Sequence, residues 1–323
     1  MKNILLTGLA GFIGSKTAEL LAKQGFNVFG VDNMNDYYDV RLKEHRLEKL
    51  KKYDNIEFLK LDIEDYELLS KETEKRNIDA IINLAARAGV PYSMKNPFVY
   101  NSTNSTGTLN LLETARHLGI KKVVLASTSS LYAGQKMPFS EDLPVNTPIS
   151  PYAASKKAAE VMAYTYHFLF DLDISVLRYF TVYGPVGRPD MSIFRFIKWI
   201  DEGKPLILYG DGTQSRDFTF AEDIAAGTVK AMKETGYEII NLGGGQNPIS
   251  LNTMIEIIEK HLGKKANIEY RSFVKTDMKE TWADISKAKR LLDWEPTVSF
   301  EKGMKKTIDW HIENRDWIRN VVV

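Results

Sequence analysis

The amino-acid sequence predicts an α/β fold: a Rossmann-type, doubly wound parallel sheet with a smaller α/β lobe attached. Three observations carry that expectation. Short apolar, β-rich runs alternate with amphipathic stretches through the first half; a glycine-spaced turn follows the first run; Gly/Pro-punctuated loops take over after about residue 180. Nearly continuous apolar strands separated by helices imply a parallel sheet covered on both faces.

The runs are NILLT (3–7), NVFGVD (27–32), IEFLKLD (56–62), DAIINLA (79–85), KKVVLAS (121–127) and DISVLRYF (173–180), with helical stretches such as 14–24 and 105–118 between them. The charged run RLKEHRLEKLKKYD (41–54) reads as a solvated helix face. Loops YGPVGRPD (183–190), YGDGTQSRD (209–217) and NLGGGQNP (241–248) then divide short, irregular elements. The expected division is one domain from 1–180 with about 219–246, and a second lobe from 181–218 and 247–323.

Composition narrows the function. The 43 Lys+Arg against 42 Asp+Glu leave a formal charge of +1, so no electrostatic excess points to nucleic acid or an anionic membrane. The chain has no cysteine, which excludes disulfides, thiolate catalysis and Cys-ligated metal, and fits a reducing, cytoplasmic setting. The opening MKNILLTGLAGFIGS begins as a signal peptide does, but its glycines interrupt the apolar run. No apolar stretch approaches the roughly 20 residues that span a bilayer. No metal site is expected.

Gly8, Gly11 and Gly14 stand as G-x-x-G-x-x-G between the first strand and the first helix. Glycine there permits a tight turn and brings main-chain N–H groups close to a pyrophosphate at the helix N-terminus. Asp32 ends the next strand, where a carboxylate accepts hydrogen bonds from the adenosine ribose and repels a 2′-phosphate. The pattern favours NAD over NADP, with nearby Arg41 as the contrary signal.

The segment SPYAASKKAAE (150–160) opens like a helix, with Ser150 able to cap and Pro151 suited to the first turn. Tyr152 and Lys156 share one face at i, i+4; alone, such a pair is an ordinary surface contact. A phenol with pKa of about 10 becomes a useful base only when its phenolate is stabilised, and an ammonium one turn away does this. Thr128, ending the fifth strand, can share a hydrogen bond with the reacting hydroxyl. None of the five histidines falls in these motifs.

The spacing of TGLAGFIG, NLAA (83–86), STSSLY (127–132), YAASK (152–156) and RYFTVYGP (178–185) resembles the extended short-chain dehydrogenase/reductases, and among them the nucleotide-sugar 4-epimerases. The likeness continues through GDGTQSRDF (210–218) and TWADISKAK (281–289). It implies that Tyr152 is the general base, Lys156 its activator and a holder of the nicotinamide ribose, and Thr128 their partner. It implies that Phe12 and Ile13 line the phosphate loop, Asp62 and Ile63 flank adenine, and Leu84, Ala85 and Ala86 pass the pyrophosphate. Asn104 would bond main chain near the site, a surface amide being the plainer reading. Arg216 and Arg188 would meet the nucleotide phosphates. Asp277 would meet the nucleotide ribose, with a surface carboxylate the plainer reading.

Related dehydratases carry Asp-Glu after the threonine, and related decarboxylases a Glu; here Ser129 and Ser130 stand there. The resemblance therefore implies simple 4-epimerisation through a 4-keto sugar. Thr181 replaces the Asn of UDP-glucose 4-epimerases and matches the UDP-glucuronate 4-epimerases; with Thr128, Ser129 and Ser130 it offers hydroxyls to a C6 carboxylate. Two departures are Pro91, where those enzymes carry Arg, with Arg87 near enough to compensate, and Ala133, where Gly is common. A UDP-glucose/UDP-galactose 4-epimerase and a non-catalytic NAD-sensing protein stay open as alternatives. Leu111, Leu112, Tyr164, Tyr166 and Phe168 exceed the apolar need of one sheet face, and the resemblance implies a homodimer through these helices; ordinary core packing explains them nearly as well.

Overall fold

The computed structural model describes residues 2–245, 248–273 and 278–323. The sheet is laid down first, by β1 (Asn3–Thr7), β2 (Asn27–Asp32), β3 (Ile56–Lys60), β4 (Ala80–Asn83), β5 (Lys122–Thr128) and β6 (Asp173–Tyr179). Between and beside them run α1 (Phe12–Lys23), α2 (Arg41–Leu50), α3 (Tyr66–Glu74), the short turns α4 (Val90–Ser93) and α5 (Pro97–Tyr100), α6 (Gly107–Leu118) and α7 (Pro151–Phe170). The chain then builds β7 (Thr181–Tyr183), α8 (Ser192–Glu202), β8 (Pro205–Tyr209), β9 (Ser215–Arg216), β10 (Phe218–Phe220), α9 (Ala221–Lys230) and β11 (Tyr237–Leu242). It ends with β12 (Ile249–Ser250), α10 (Leu251–Leu262), β13 (Asn267–Arg271), α11 (Ser286–Leu292), α12 (Phe300–Glu313) and a last helical turn, α13 (Arg315–Ile318).

Seven strands form one parallel sheet in the order β11-β6-β5-β4-β1-β2-β3. Each strand is apolar on both sides because it feeds two cores. Ile4, Leu6, Ile82 and Val124 join Ala18, Leu21, Ile224 and Leu292 in one cluster. The alternate residues Leu5, Ile81, Val123 and Leu125 join Leu69, Leu111, Leu112, Ala159 and Tyr166 in the other. This is the period-two alternation of a strand, filled by helices on both faces. Leu111, Leu112 and Tyr166 thus belong to the chain's own core, at 1%, 1% and 8% exposure. Tyr164 and Phe168 lie on the outer face of α7, 52% and 72% exposed.

The order of strands reverses between β1 and β4, and the crevice outside their carboxyl ends is where open α/β sheets take ligands. Above it lies a third core around Ile197, Leu208, Met254 and Ile308, covered by α8, α10 and α12. Three small two-stranded sheets, β10-β7, β12-β9 and β13-β8, serve this part. A fourth cluster packs Ile318 and Val321 of the carboxyl end on Leu42 of α2 and Phe194 of α8.

Candidate active site

The turn after β1 is close-packed at backbone level. Gly8 sits at φ +70°, and a Cβ there would fall 2.8 Å from the Leu84 carbonyl oxygen and the Ala85 nitrogen. A Cβ on Gly14 would lie 2.0 Å from the Gly8 oxygen, and one on Gly11 2.9 Å from it. These contacts leave room for no other residue type and bring the amino end of α1 against the end of β4. The Leu84 and Ala85 amides are bound by Thr7, through its carbonyl at 3.2 Å and its hydroxyl at 3.1 Å. Ala86 follows them, half-buried. Phe12 is buried at the start of α1, and Ile13 packs on the core beneath.

Asp32 ends β2, 7% exposed, and its Oδ1 accepts from the Met34 amide at 2.9 Å and from Lys43 Nζ at 3.2 Å. Lys43 and Arg46 correct the reading of 41–54 as a solvated face: they are 4% and 3% exposed. The Arg46 guanidinium donates to the Ala10 carbonyl at 3.1 Å, the Tyr38 hydroxyl at 2.6 Å and the Val186 carbonyl at 2.7 Å. It ties the glycine turn to the loop after β7. Arg41 turns away, bound to Asp39 and to the Asn320 carbonyl. Asp62 accepts from Asn33 at 2.8 Å, and Ile63 is buried beside Gly107.

Asn104 is fully buried in a π-helical turn (Asn101–Thr106), not a surface amide. Its Oδ1 accepts from the Arg87 amide, and its Nδ2 donates to the Arg87 carbonyl and the Ser155 hydroxyl, each at 2.9 Å. It clamps the chain after β4 to α7.

Ser150 caps α7 by accepting from the Ala153 amide at 3.2 Å, and Pro151 occupies the first turn. Lys156 is 3% exposed, and its Nζ donates to the Ala126 carbonyl of β5 at 2.9 Å. A surface contact is therefore excluded for this lysine. Burial pulls its pKa down to about 8, opposed by the negative charge of Glu160. Tyr152 is half-buried, with its ring 6.0 Å from that of Tyr100 in an edge-on arrangement. Burial pushes its phenol up; a hydrogen bond with Thr128 and the charge of Arg188 pull the other way. Thr128 also accepts from the Ser130 amide at 3.1 Å.

Two cavities flank this point. One, of about 500 Å³, is lined by Ser129, Ser130, Ala133, Thr181 and Arg216. The other, of about 450 Å³, is lined by Phe12, Gly187, Arg188, Met191, Trp310 and again Thr181. The structure thus gathers the hydroxyls with Arg216 but places Arg188 elsewhere. Arg188 donates to Asp190 at 3.0 Å and to the Ala88 carbonyl at 3.2 Å, and lies over the Tyr37 ring. Arg216 donates to the Ser215 carbonyl at 2.8 Å and the Lys279 carbonyl at 3.3 Å. Arg87 donates to Asn35 at 3.0 Å, in the loop after β2. Asp277 lies outside the described residues. Among the described residues no cluster of acids and histidines is arranged to hold a metal.

Lys43, Arg46 and Glu160 escaped the sequence reading. The one available signal was helical spacing: Leu42, Arg46 and Leu50 fall on one stripe of α2.

Known proteins fit this geometry. Residues 5–307 match the family described as GDP-mannose 4,6 dehydratase. The chain is 60% identical over 319 residues to a UDP-glucuronate 4-epimerase of Thermodesulfobacterium geofontis, covering 99% of each chain. It superposes on the UDP-glucuronic acid 4-epimerase of Bacillus cereus in complex with UDP-glucuronic acid and NAD with a TM-score of 0.91. That pair is 39% identical, over 97% of this chain and 99% of the other. The UDP-glucose 4-epimerase of Thermotoga maritima gives a TM-score of 0.88 at 30% identity, over 97% and 99%. With its parallel sheet, its glycine cradle and its Tyr152/Lys156 helix, the chain belongs to the GDP-mannose 4,6-dehydratase family of extended short-chain dehydrogenase/reductases, among the nucleotide-sugar epimerases.

Proposed function

We infer that this protein is an NAD-dependent UDP-sugar 4-epimerase that interconverts UDP-glucuronate and UDP-galacturonate. The single observation that carries the choice of reaction is the cavity wall of Ser129 and Ser130, hydroxyls where the related eliminating enzymes carry acids, with Thr181 beside them. NAD, when bound, supplies a hydride acceptor and donor at the sugar C4.

The chain's own residues do the rest. The Gly8–Gly14 turn leaves main-chain N–H groups for the pyrophosphate, in a cradle that any Cβ would fill. Asp32 holds the adenosine ribose, and Asp62, Ile63, Leu84, Ala85 and Ala86 border the remainder. Tyr152, stabilised as the phenolate by the buried Lys156 charge, takes the proton from the 4-hydroxyl and becomes the neutral phenol. Thr128 shares a hydrogen bond with the same hydroxyl. Once the 4-keto sugar has turned its other face, Tyr152 returns the proton. Hydroxyls of Ser129, Ser130 and Thr181 bind the C6 carboxylate with several hydrogen bonds and no buried cation. Arg216 meets the diphosphate; Arg188 borders the same ligand from the second cavity. Asp277 remains assigned to the nucleotide ribose.

In this reading residues 1–180 and about 219–246 hold the cofactor, and 181–218 with 247–323 hold the nucleotide sugar. Exposed Val161, Tyr164, Phe168 and Leu169 on α7 support a homodimer in which these faces pair. The lack of cysteine supports a cytoplasmic setting; among the described residues no helix is long and apolar enough to cross a membrane.

Product analysis with UDP-glucuronate and UDP-glucose offered together tests the substrate. Preferential formation of UDP-galacturonate is expected. Preferential formation of UDP-galactose would replace this reading with the UDP-glucose 4-epimerase one, and turnover of neither sugar would return the NAD-sensing alternative.

A further inference from the structure

One turn beyond Lys156, α7 buries a carboxylate that the reaction as described does not use. Glu160 is 1% exposed and meets Arg178 of β6, also 1% exposed, through two bonds of 2.9 Å. The Ser127 hydroxyl donates to Glu160 Oε1 at 2.6 Å, and Lys157 Nζ lies 3.6 Å from Oε2. Arg178 also donates to the Tyr132 hydroxyl at 2.8 Å, which in turn donates to Asn241 at 2.8 Å. The Tyr237 hydroxyl donates to the Glu160 carbonyl at 3.0 Å.

These partners are adjacent in sequence to the reacting groups. Ser127 precedes Thr128, and Tyr132 closes the 3₁₀ turn that carries Ser129 and Ser130. Glu160 stands four residues from Lys156, on the same side of α7. One buried ion pair therefore reaches every segment that bears a reacting hydroxyl, phenol or ammonium. Apolar residues of the same volume would hold α7 on the sheet at least as well, since desolvating a charge pair offsets its attraction. A purely structural purpose leaves the choice of charges unexplained.

We propose that Glu160 is a positioning residue of the epimerisation, holding the Lys156 ammonium and the Thr128 hydroxyl in register through Arg178 and Ser127. The proposal rests on the epimerase reading. Its electrostatic consequence follows from the groups that surround Lys156 and its neighbour. Tyr152, Lys157 and Glu160 come from α7, Thr128 and the Ala126 carbonyl from β5, Arg178 from β6, Tyr132 from the 3₁₀ turn and Tyr237 from β11. Of these groups Glu160 alone is a carboxylate, and its charge opposes the downward pull of burial on the ammonium. Removing that charge lowers the Lys156 pKa, so the alkaline limb of turnover moves to lower pH.

The test compares the intact holoenzyme with Glu160→Gln and with Glu160→Gln/Arg178→Met. The double variant avoids leaving a buried guanidinium unpaired, a loss that can unfold the single variant. In Glu160→Gln the alkaline limb of kcat is expected about one pH unit lower, a roughly tenfold loss above the limb, with KM little changed. In the double variant, which also loses the Arg178 charge, kcat falls with the lost register and the limb moves less. Lysine ¹³Cε titration of the holoenzyme is expected to show the same downward shift for Lys156 without reference to turnover. A folded Glu160→Gln with the parent pH profile and the parent Lys156 titration, or a folded double variant with the parent kcat, overturns the proposal. A parent enzyme inactive on both UDP-sugars overturns the epimerase reading itself, a distinguishable failure.

Discussion

On the proposed cofactor side of the crevice, the surfaces offered to a ligand are mostly main chain. They are a glycine turn, the end of β4, and amides already held by Thr7. On the proposed sugar side they are side chains: Ser129, Ser130, Thr181 and Arg216, from three separate stretches of chain. The first surface is set by what a backbone can approach and tolerates no added atom. The second is set by which hydroxyl or guanidinium stands at a position, so one substitution changes what fits while the fold stays. Thr181 lines both cavities and marks the boundary between the two.

Four substitutions break or sharpen this contrast. The largest effect is expected from Tyr152→Phe, which removes the proton carrier and lowers kcat about 10²–10⁴-fold while NAD content, read from the cofactor's absorbance, persists. Parent-like turnover would remove the phenol from the mechanism. Next comes Gly14→Ala: its methyl meets the Gly8 carbonyl oxygen, a backbone atom that cannot swing aside. Purified protein should carry little NAD and melt several degrees lower, a loss of roughly 1–3 kcal/mol. Full cofactor content at the parent Tm would show that the turn is looser than its packing.

On the sugar side, Thr181→Asn is expected to leave Tm and NAD content alone but shift the UDP-glucuronate to UDP-glucose ratio of kcat/KM by about tenfold toward the neutral sugar. That is the scale on which a pocket contact discriminates. An unchanged ratio would take Thr181 out of substrate selection. The smallest effect concerns Asp32→Asn. It removes the charge that repels a 2′-phosphate and leaves the buried Lys43 ammonium without its carboxylate. NADP binding by isothermal titration is expected to tighten about tenfold relative to NAD, consistent with a charge-assisted contact of about 1.5 kcal/mol. If the ratio stays put, Lys43 does not face the ribose.

Much of the cofactor side was legible because its requirements are local. Gly8, Gly11 and Gly14 announce themselves by spacing, Asp32 by its place at a strand end, and Tyr152 with Lys156 by one helical turn. Where distant chain decides, the reading fell short. The run 41–54 looks solvated, yet Lys43 and Arg46 are buried, because Lys43 meets Asp32 at the end of β2 and Arg46 meets the glycine turn and the loop after β7. Asn104 reads equally as a surface amide until the π-helical turn carries it inward. Leu111, Leu112 and Tyr166 look like a surplus for a partner until both faces of the sheet are counted.

Residue type and spacing by themselves determined the parallel sheet, the glycine cradle and the tyrosine–lysine pair, since each depends on neighbours within a few residues or on strand periodicity. Only the tertiary structure decided which charges are buried, that Arg188 and Arg216 line different cavities, and that Glu160 stands behind Lys156 against Arg178. Burial and charge pairing depend on what the rest of the chain brings alongside, and no local pattern carries that information.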